Sequence, residues 1–254
     1  MITKPVINIA FDVFNNINEY LHFDKQIDIL LICKDVFNRL NPKGYFRVTV
    51  KNLKYYVKKY NKYGVIIKPN EKFINIFIIL KRLEKLKVRK ICLKNVKNLR
   101  DSHFKHLKFI HTLNMSDCNQ ETITDKAFEN LKQLCVLNMS YCNQTTITDK
   151  AFENLKHVHV LNMSRCNQKT ITDKAFENLK HVHVLNMRLC DQTTITDKAF
   201  ENLKNLHTLY MNSCNQTTIT DKAFSNLKNI NNLIMHSCSQ TTITDKAFEN
   251  FKNI

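Results

Sequence analysis

The feature that most constrains this chain is an internal repeat with a period of 24 residues. The string ITDKAF occurs six times at that period, and DSHFKHL at residues 101–107 is a weaker seventh copy. One unit, residues 134–157, reads LCVLNMSYCNQTTITDKAFENLKH. A unit this short cannot bury its apolar face alone, whereas stacked copies can bury a continuous core. The sequence therefore predicts a solenoid.

Each unit is predicted to fold as a short strand, a turn and a short helix. Apolar and polar residues alternate across residues 136–140 (VLNMS), as in a strand with one buried face. Either Thr148 or Asp149 stands where a helix N-cap is expected. Stacking would align one Phe and one Leu from each helix in two buried columns. These are Phe104, Phe128, Phe152, Phe176, Phe200, Phe224 and Phe248, and Leu107, Leu131, Leu155, Leu179, Leu203 and Leu227, with Phe251 last.

The repeated block L-x-x-L-x-M-x-x-C resembles the leucine-rich repeat over about residues 86–254. Its ninth-position Cys followed by ITD is similar to the cysteine-containing subclass of intracellular F-box proteins. The 24-residue length and A-F-x-x-L are also similar to the typical extracellular subclass. The predicted fold class is therefore α/β, a leucine-rich-repeat solenoid of strand–turn–helix units preceded by a small helical module.

The cysteines and histidines of the repeats are interpreted as structural rather than metal-binding. One thiol per unit in a line is not a tetrahedral ligand set, and buried Cys packs as a small hydrophobe. The HVHV segments stack two histidines per unit and could hold zinc, but exposed rim histidines are the preferred interpretation. No metal or cofactor is predicted.

Residues 9–37 resemble the F-box, whose pattern is L-P-x-E-L-L-x-x-I-(x)3-L, followed eleven residues later by V-C-(x)2-W. Ala10 replaces the Pro, and Val36 stands at the Trp position, with Phe37 next to it. The resemblance implies docking on the adaptor of a cullin-RING ubiquitin ligase; a helical bundle that only caps the solenoid is the alternative. The predicted adaptor-binding residues are Ile9, Ala10, Val13, Phe14, Ile17, Leu21, Ile32, Cys33 and Phe37.

Three regions follow from the pattern and the charge. Residues 1–42 form the F-box-like module and have net charge −1, whereas residues 43–110 have net charge +17 and residues 111–254 have +1. Residues 43–98 are predicted to be irregular basic repeats, and residues 99–254 six regular ones. The basic block indicates either a nucleic-acid-binding arm or an ordinary solvated surface.

The outward side of the predicted strands is the expected binding surface of a solenoid. The helix half of the unit is nearly constant, whereas the outward strand positions differ from unit to unit. This variation favours recognition of an unknown target protein; duplication followed by drift is the alternative. The predicted target-binding residues are Asn114, Ser116, Asn138, Ser140, Tyr141, Asn162, Ser164, Arg165, Asn186, Arg188, Leu189, Tyr210, Asn212, Asn232, Ile234 and His236.

Composition excludes several classes of protein. The chain has only two glycines, so a phosphate-binding glycine loop is excluded, and no catalytic set of Ser, His, Cys and Asp recurs; we expect no enzyme.

The apolar run FINIFIIL is too short to span a bilayer, so no membrane association is expected. The N-terminus does not resemble a signal peptide, which favours the cytoplasm or nucleus.

By resemblance, the predicted function is that of an F-box/leucine-rich-repeat protein. The first module would bind the adaptor and cullin complex, and the repeats would hold a target for ubiquitin transfer. A ligase-independent interaction scaffold and a nucleic-acid binder using residues 43–110 are the alternatives. The near-identical units also resemble expanded repeat families of large DNA viruses of protists.

Overall fold

The computed structural model describes residues 65–66, 76–249 and 251. The F-box-like module at residues 1–42 lies outside the described residues, so its predicted adaptor-binding residues remain predictions. The described residues fall in a structural unit that spans Lys54–Ile254.

In the described part of the chain, one parallel sheet contains eight strands in chain order. From β3 onward each strand residue pairs with the residue 24 positions later, so register follows the sequence repeat. The strands are β1 Val65–Ile66, β2 Lys90–Cys92, β3 Thr112–Asn114, β4 Val136–Asn138, β5 Val160–Asn162, β6 Val184–Asn186, β7 Thr208–Tyr210 and β8 Asn232–Ile234. Each strand and its return to the next is called a rung below.

The predicted helices of the regular rungs are short 3₁₀ helices. They are Lys105–Leu107, Asp125–Ala127, Asp149–Phe152, Asp173–Phe176, Asp197–Phe200, Asp221–Phe224 and Asp245–Phe248. Within residues 76–249, two α-helices precede them, α1 Ile76–Lys85 and α2 Asp101–Phe104. Of the two N-cap candidates, Thr148 is the cap, because its side chain accepts a hydrogen bond from the backbone N–H of Lys150. Because Thr148 caps the helix, the carboxylate of Asp149 can bond to the next rung instead.

The two predicted core columns are present between the sheet and the 3₁₀ helices. The six phenylalanines from Phe104 to Phe224 and the six leucines from Leu107 to Leu227 are at most 2% exposed, whereas Phe248 is 37% exposed. Burying one such side chain contributes about 1.5–3 kcal/mol to folding. The stacked columns thus supply much of the core of the solenoid.

Helix α1 packs against the first rung that has the repeat pattern. Leu80 and Leu83 are buried. The Glu84 carboxylate forms an ion pair with the Lys108 ammonium at 2.8 Å, and its other oxygen lies 2.7 Å from Nδ1 of His106. Hydrogen bonding from Lys108, and then from His106, lowers the pKa of Glu84. The second part of the apolar run FINIFIIL, from Ile76 onward, thus lies in α1. No helix in the described part of the chain is long and apolar enough to cross a membrane.

Candidate interaction surface

The aspartate of each ITD motif except the last joins its rung to the next one, and Asp101 does the same on the preceding rung. In a representative pair, Asp149 accepts hydrogen bonds from the backbone N–H of Thr172 at 2.7 Å and from its hydroxyl at 2.8 Å. The same pair of bonds recurs six times, from Asp101 with Thr124 to Asp221 with Thr244. A carboxylate that accepts two bonds stabilises the junction between rungs. The Asp and Thr of ITD are thus structural.

Two further polar ladders run parallel to this one. The Thr146 hydroxyl donates to the carbonyl of Ile123 at 2.7 Å, and equivalent threonines repeat the bond on later rungs. The Asn143 side chain accepts from the backbone N–H of Asn167 at 2.6 Å, and the same position bonds similarly from rung to rung. These bonds satisfy backbone groups that the short strands leave unpaired.

The cysteines of the ninth motif position form a fourth ladder. The Cys166 thiol donates to the carbonyl of Met139 on the preceding rung at 3.1 Å, and Cys142 donates likewise to Met115 at 3.2 Å. Burial raises the pKa of the Cys118 thiol and of the Cys214 thiol to about 12. Neutral, inaccessible thiols are poor nucleophiles and poor metal ligands. The interpretation of this column as core is supported, with the thiol hydrogen bond as an additional role that the sequence did not reveal.

Most of the predicted outward Asn and Ser residues of the strands are buried, which corrects the expectation that they are exposed. The buried members are Asn114, Ser116, Asn138, Ser140, Asn162, Asn186 and Asn212, each at most 5% exposed. The reason is twofold: small side chains are covered by neighbours in adjacent strands, which lie about 4.8 Å apart, and four of the asparagines bond to their own rung, namely Asn114, Asn138, Asn162 and Asn186. The Asn138 side-chain oxygen accepts the backbone N–H of Ser140 at 3.0 Å. The sequence alternation indicated the correct face but not the accessibility.

The other predicted target-binding residues remain at least partly accessible. Ser164, Arg188, Leu189, Tyr210 and Ile234 are half-buried, and Tyr141, Arg165, Asn232 and His236 are exposed. Several of these lie at one level, the turn that follows each strand. The accessible part of the predicted surface is therefore concentrated at that level.

The residue at the eighth motif position has left-handed backbone geometry on every described rung from β2 onward. We call these seven residues the turn column: Asn95, Asp117, Tyr141, Arg165, Leu189, Ser213 and Ser237, with φ between 55° and 60°. Their backbone is fixed, since the N–H of Tyr141 donates to the carbonyl of Ser164 at 3.0 Å and that of Arg165 to Arg188 at 2.8 Å. The side chains at this turn point away from the core columns, and Tyr141 is 43% exposed.

Two neighbouring members of the turn column contact each other. The Arg165 guanidinium lies over the Tyr141 ring, 5.0 Å from its centroid, in a cation–π contact. Arg188 stands next to Leu189 on the following rung, and its Nε atom is shielded from solvent and has no hydrogen-bond partner among the described residues. These four residues present an aromatic ring, an aliphatic side chain and two guanidinium groups on three successive rungs.

Charge on the sheet face is almost entirely positive. The second to eighth motif positions of the rungs from β2 to β8 contain five Lys or Arg residues and one acid, Asp117. Asp117 lies 3.9 Å from the Lys94 ammonium. The nearby Asp191 accepts the backbone N–H of Asn215 at 2.8 Å. Among the described residues, no carboxylate forms an ion pair with Arg165 or Arg188.

The histidines predicted to be a rim lie along the opposite edge of the sheet, at the start of the strands. The rings of His159 and His183, and of His183 and His207, have centroids 5.2 Å apart. Desolvation, followed by the charges of neighbouring histidines, lowers the pKa of His183. Among the described residues no three His, Cys, Asp or Glu side chains are grouped to hold a metal ion.

Comparisons with known proteins agree with this geometry. A leucine rich repeat model matches residues 110–169, and a BspA type leucine rich repeat region model matches residues 169–254. A search of curated proteins finds no match.

Solved structures similar to the chain include a TLR13–ssRNA13 complex at 24% identity, an internalin (InlF) from Listeria monocytogenes at 15%, and the Toll–Spätzle complex of Drosophila at 15%. They align over 67%, 68% and 65% of this chain, with TM-scores of 0.53, 0.50 and 0.50. The alignments span only 25%, 48% and 25% of those chains. Such identities establish a shared fold, and with the two family models they show that residues 110–254 are leucine-rich repeats.

Proposed function

We propose that this chain is a protein-interaction scaffold whose repeats hold a target protein at the accessible turn column of the sheet face. The observation that carries the proposal is that Asp, Thr, Asn and Cys side chains form four ladders that bond from rung to rung, whereas the turn column changes from one rung to the next. A rigid sheet with variable side chains along one line is suited to recognition of a macromolecule. The described residues contain no grouping that favours catalysis.

The more specific form of the proposal adds a ubiquitin ligase. The F-box-like residues would dock on the adaptor, and the repeats would hold the target near a ubiquitin-conjugating enzyme bound to the same complex. The chain would then contribute proximity, with the bond-forming chemistry belonging to its partners. The support for this step is the sequence resemblance of residues 9–37 alone.

Site-specific photo-crosslinking tests the scaffold. A photoreactive amino acid replaces Arg165 in one variant and Glu177, which is exposed on the 3₁₀ side, in the matched control. The proposal expects a discrete protein adduct from position 165 and none, or a different weak pattern, from position 177. Equal adducts from both positions, or none from position 165 in the cell that makes the protein, would contradict it.

Adaptor binding is tested separately. Purified full-length chain is mixed with the cullin-ligase adaptor, beside an Ile17→Asp/Leu21→Asp variant. Binding that this variant loses would support the ligase role. No binding by folded wild-type chain would exclude that role and leave the scaffold.

The basic segment 43–110 supports nucleic acid as the alternative partner. Phosphate contacts release counterions, so such binding weakens steeply between low and moderate salt. A titration of single-stranded RNA at two salt concentrations therefore distinguishes the two. Steeply salt-dependent RNA binding of the chain, together with no adduct from position 165, would favour the nucleic-acid function.

A further inference from the structure

We propose that the middle of the turn column binds an acidic segment of the target protein, one that carries carboxylate side chains beside an aliphatic or aromatic residue. The surface consists of Tyr141, Arg165, Arg188 and Leu189. This inference rests on the proposed function, because it names the partner chemistry of the same surface.

Backbone strain is present along most of the turn column. A residue with φ near +60° is uncommon unless it is Gly, Asn or Asp, and a bulky side chain there is a genuine outlier. Asn95 and Asp117 tolerate this geometry, whereas the five later members of the column are other residue types. The three bulky ones, Tyr141, Arg165 and Leu189, lie on adjacent rungs and are at least partly accessible. Strain kept at accessible positions supports a functional role.

The two guanidinium groups differ in how a partner would reach them. Stacking on the Tyr141 ring orients the Arg165 guanidinium while its N–H edge stays free to form paired bonds with a carboxylate. Arg188 is half-buried and its Nε is shielded from solvent, so a partner would reach the terminal N–H groups and not the Nε. Neither arginine forms an ion pair with a described carboxylate: Asp117 lies beside Lys94, and one oxygen of Asp191 accepts the backbone N–H of Asn215. An anionic group supplied by a partner would complete these donors.

The distribution of cations on the face favours a protein segment over a nucleic acid. The two arginines are separated by the β3 and β4 rungs from the other cations of the face, which are Arg89, Lys90 and Lys94 on β2 and its flanks. The rungs of the surface also carry a stripe of half-buried valines, Val136, Val160 and Val184, at the start of their strands. Tracking a phosphate backbone uses several evenly placed cations, whereas two arginines beside apolar surface match a short acidic segment with an apolar anchor.

The test is a selection from a displayed library of random peptides against the purified full-length chain. We expect the selected peptides to be enriched in Asp and Glu and depleted of Lys and Arg. A representative peptide, synthesised and titrated, should bind Arg165→Gln/Arg188→Gln roughly tenfold or more weaker than wild type. Arg89→Gln, an exposed arginine on the same face but outside the site, is the matched control and should bind as wild type does.

Three results would overturn the inference. Selected peptides could be neutral or basic, their affinity could be unchanged by Arg165→Gln/Arg188→Gln, or a twelve-nucleotide single-stranded RNA could bind more tightly than any peptide and lose that binding in the same variant. Melting curves show whether the variants are folded. If position 165 still forms a protein adduct when the peptide result is negative, the scaffold function stands and only the acidic partner is wrong. If position 165 forms no protein adduct and no acidic peptide binds, the scaffold function is wrong as well.

Discussion

The polar ladders and the turn column lie on the same rungs but follow opposite rules. In the ladders, each polar side chain bonds to the next rung, as Asp149 does with Thr172. In the turn column, no described side chain hydrogen-bonds to its counterpart on the adjacent rung. Ladder residues must therefore recur, whereas turn residues are free to differ. Recurrence along a solenoid indicates structure, and function should be sought where recurrence stops.

Some recurrence has no structural explanation. The side chains of Lys150 and Glu153 are exposed and return on most rungs, but nothing in the structure explains them. They are what recent duplication would leave behind. The residues of the turn column differ from rung to rung within the same chain, which sharpens the contrast between the two regions.

The largest expected effect concerns the thiols. Cys118 belongs to a ladder and has a pKa of about 12, three units above the usual 9.0, so its thiolate fraction at pH 8 is reduced by about a factor of 10³. Cys135 lies on the sheet face and is half-buried, and burial raises its pKa less far. We expect a thiol reagent to modify Cys135 at least a hundredfold faster, measured by peptide mass spectrometry. Equal modification rates of Cys118 and Cys135 in the folded protein would show that the ladder thiols are accessible to the reagent. In denaturant the two rates should be equal, which is the control.

The next effect is on folding stability. Asp173→Ala removes both acceptors of Thr196 and leaves its backbone N–H unpaired, so we expect the free energy of unfolding to fall by about 1–3 kcal/mol. Ser213→Ala, in the turn column, is the matched control with an expected change within about 0.5 kcal/mol. Urea denaturation measures both. Comparable losses of unfolding free energy in the two variants would contradict the distinction between structural ladder residues and variable turn-column residues.

A smaller effect depends on pH. Hydrogen bonds from Thr244, first from its backbone N–H and then from its hydroxyl, lower the pKa of Asp221 from its usual 3.8. A carboxyl whose pKa is lower in the folded state stabilises the protein above the unfolded pKa and loses that contribution as pH falls through the folded value. Asp221→Asn should therefore melt below wild type at pH 7, and the difference in melting temperature should narrow as pH falls below the usual 3.8. A difference in melting temperature that grows on acidification would contradict a stabilising role of the Asp221 carboxylate in the ladder.

Much of the fold could be predicted from the sequence, because the period of 24 residues fixes register and the Phe and Leu columns fix the core. The ladders could not, since Asp149 and Cys166 have ordinary local roles and acquire their bonds only when the next rung is in place. Alternation predicted Asn138 to point outward, but accessibility depends on the spacing of neighbouring strands. The left-handed turn at Tyr141 gives no local signal, because the residue there is not the Gly or Asn that marks such geometry. The F-box and the viral origin stay predictions.

The most direct test of the central claim is the melting temperature of a Tyr141→Asn/Arg165→Asn/Leu189→Asn variant beside wild type. If these residues are retained for recognition against the preference of the backbone, replacing them with one that tolerates positive φ should raise stability by up to about 1 kcal/mol per site, several degrees in all. The account predicts a higher melting temperature for the variant. A lower one would show that the three side chains stabilise the solenoid, and would contradict the claim that the turn column is a recognition surface.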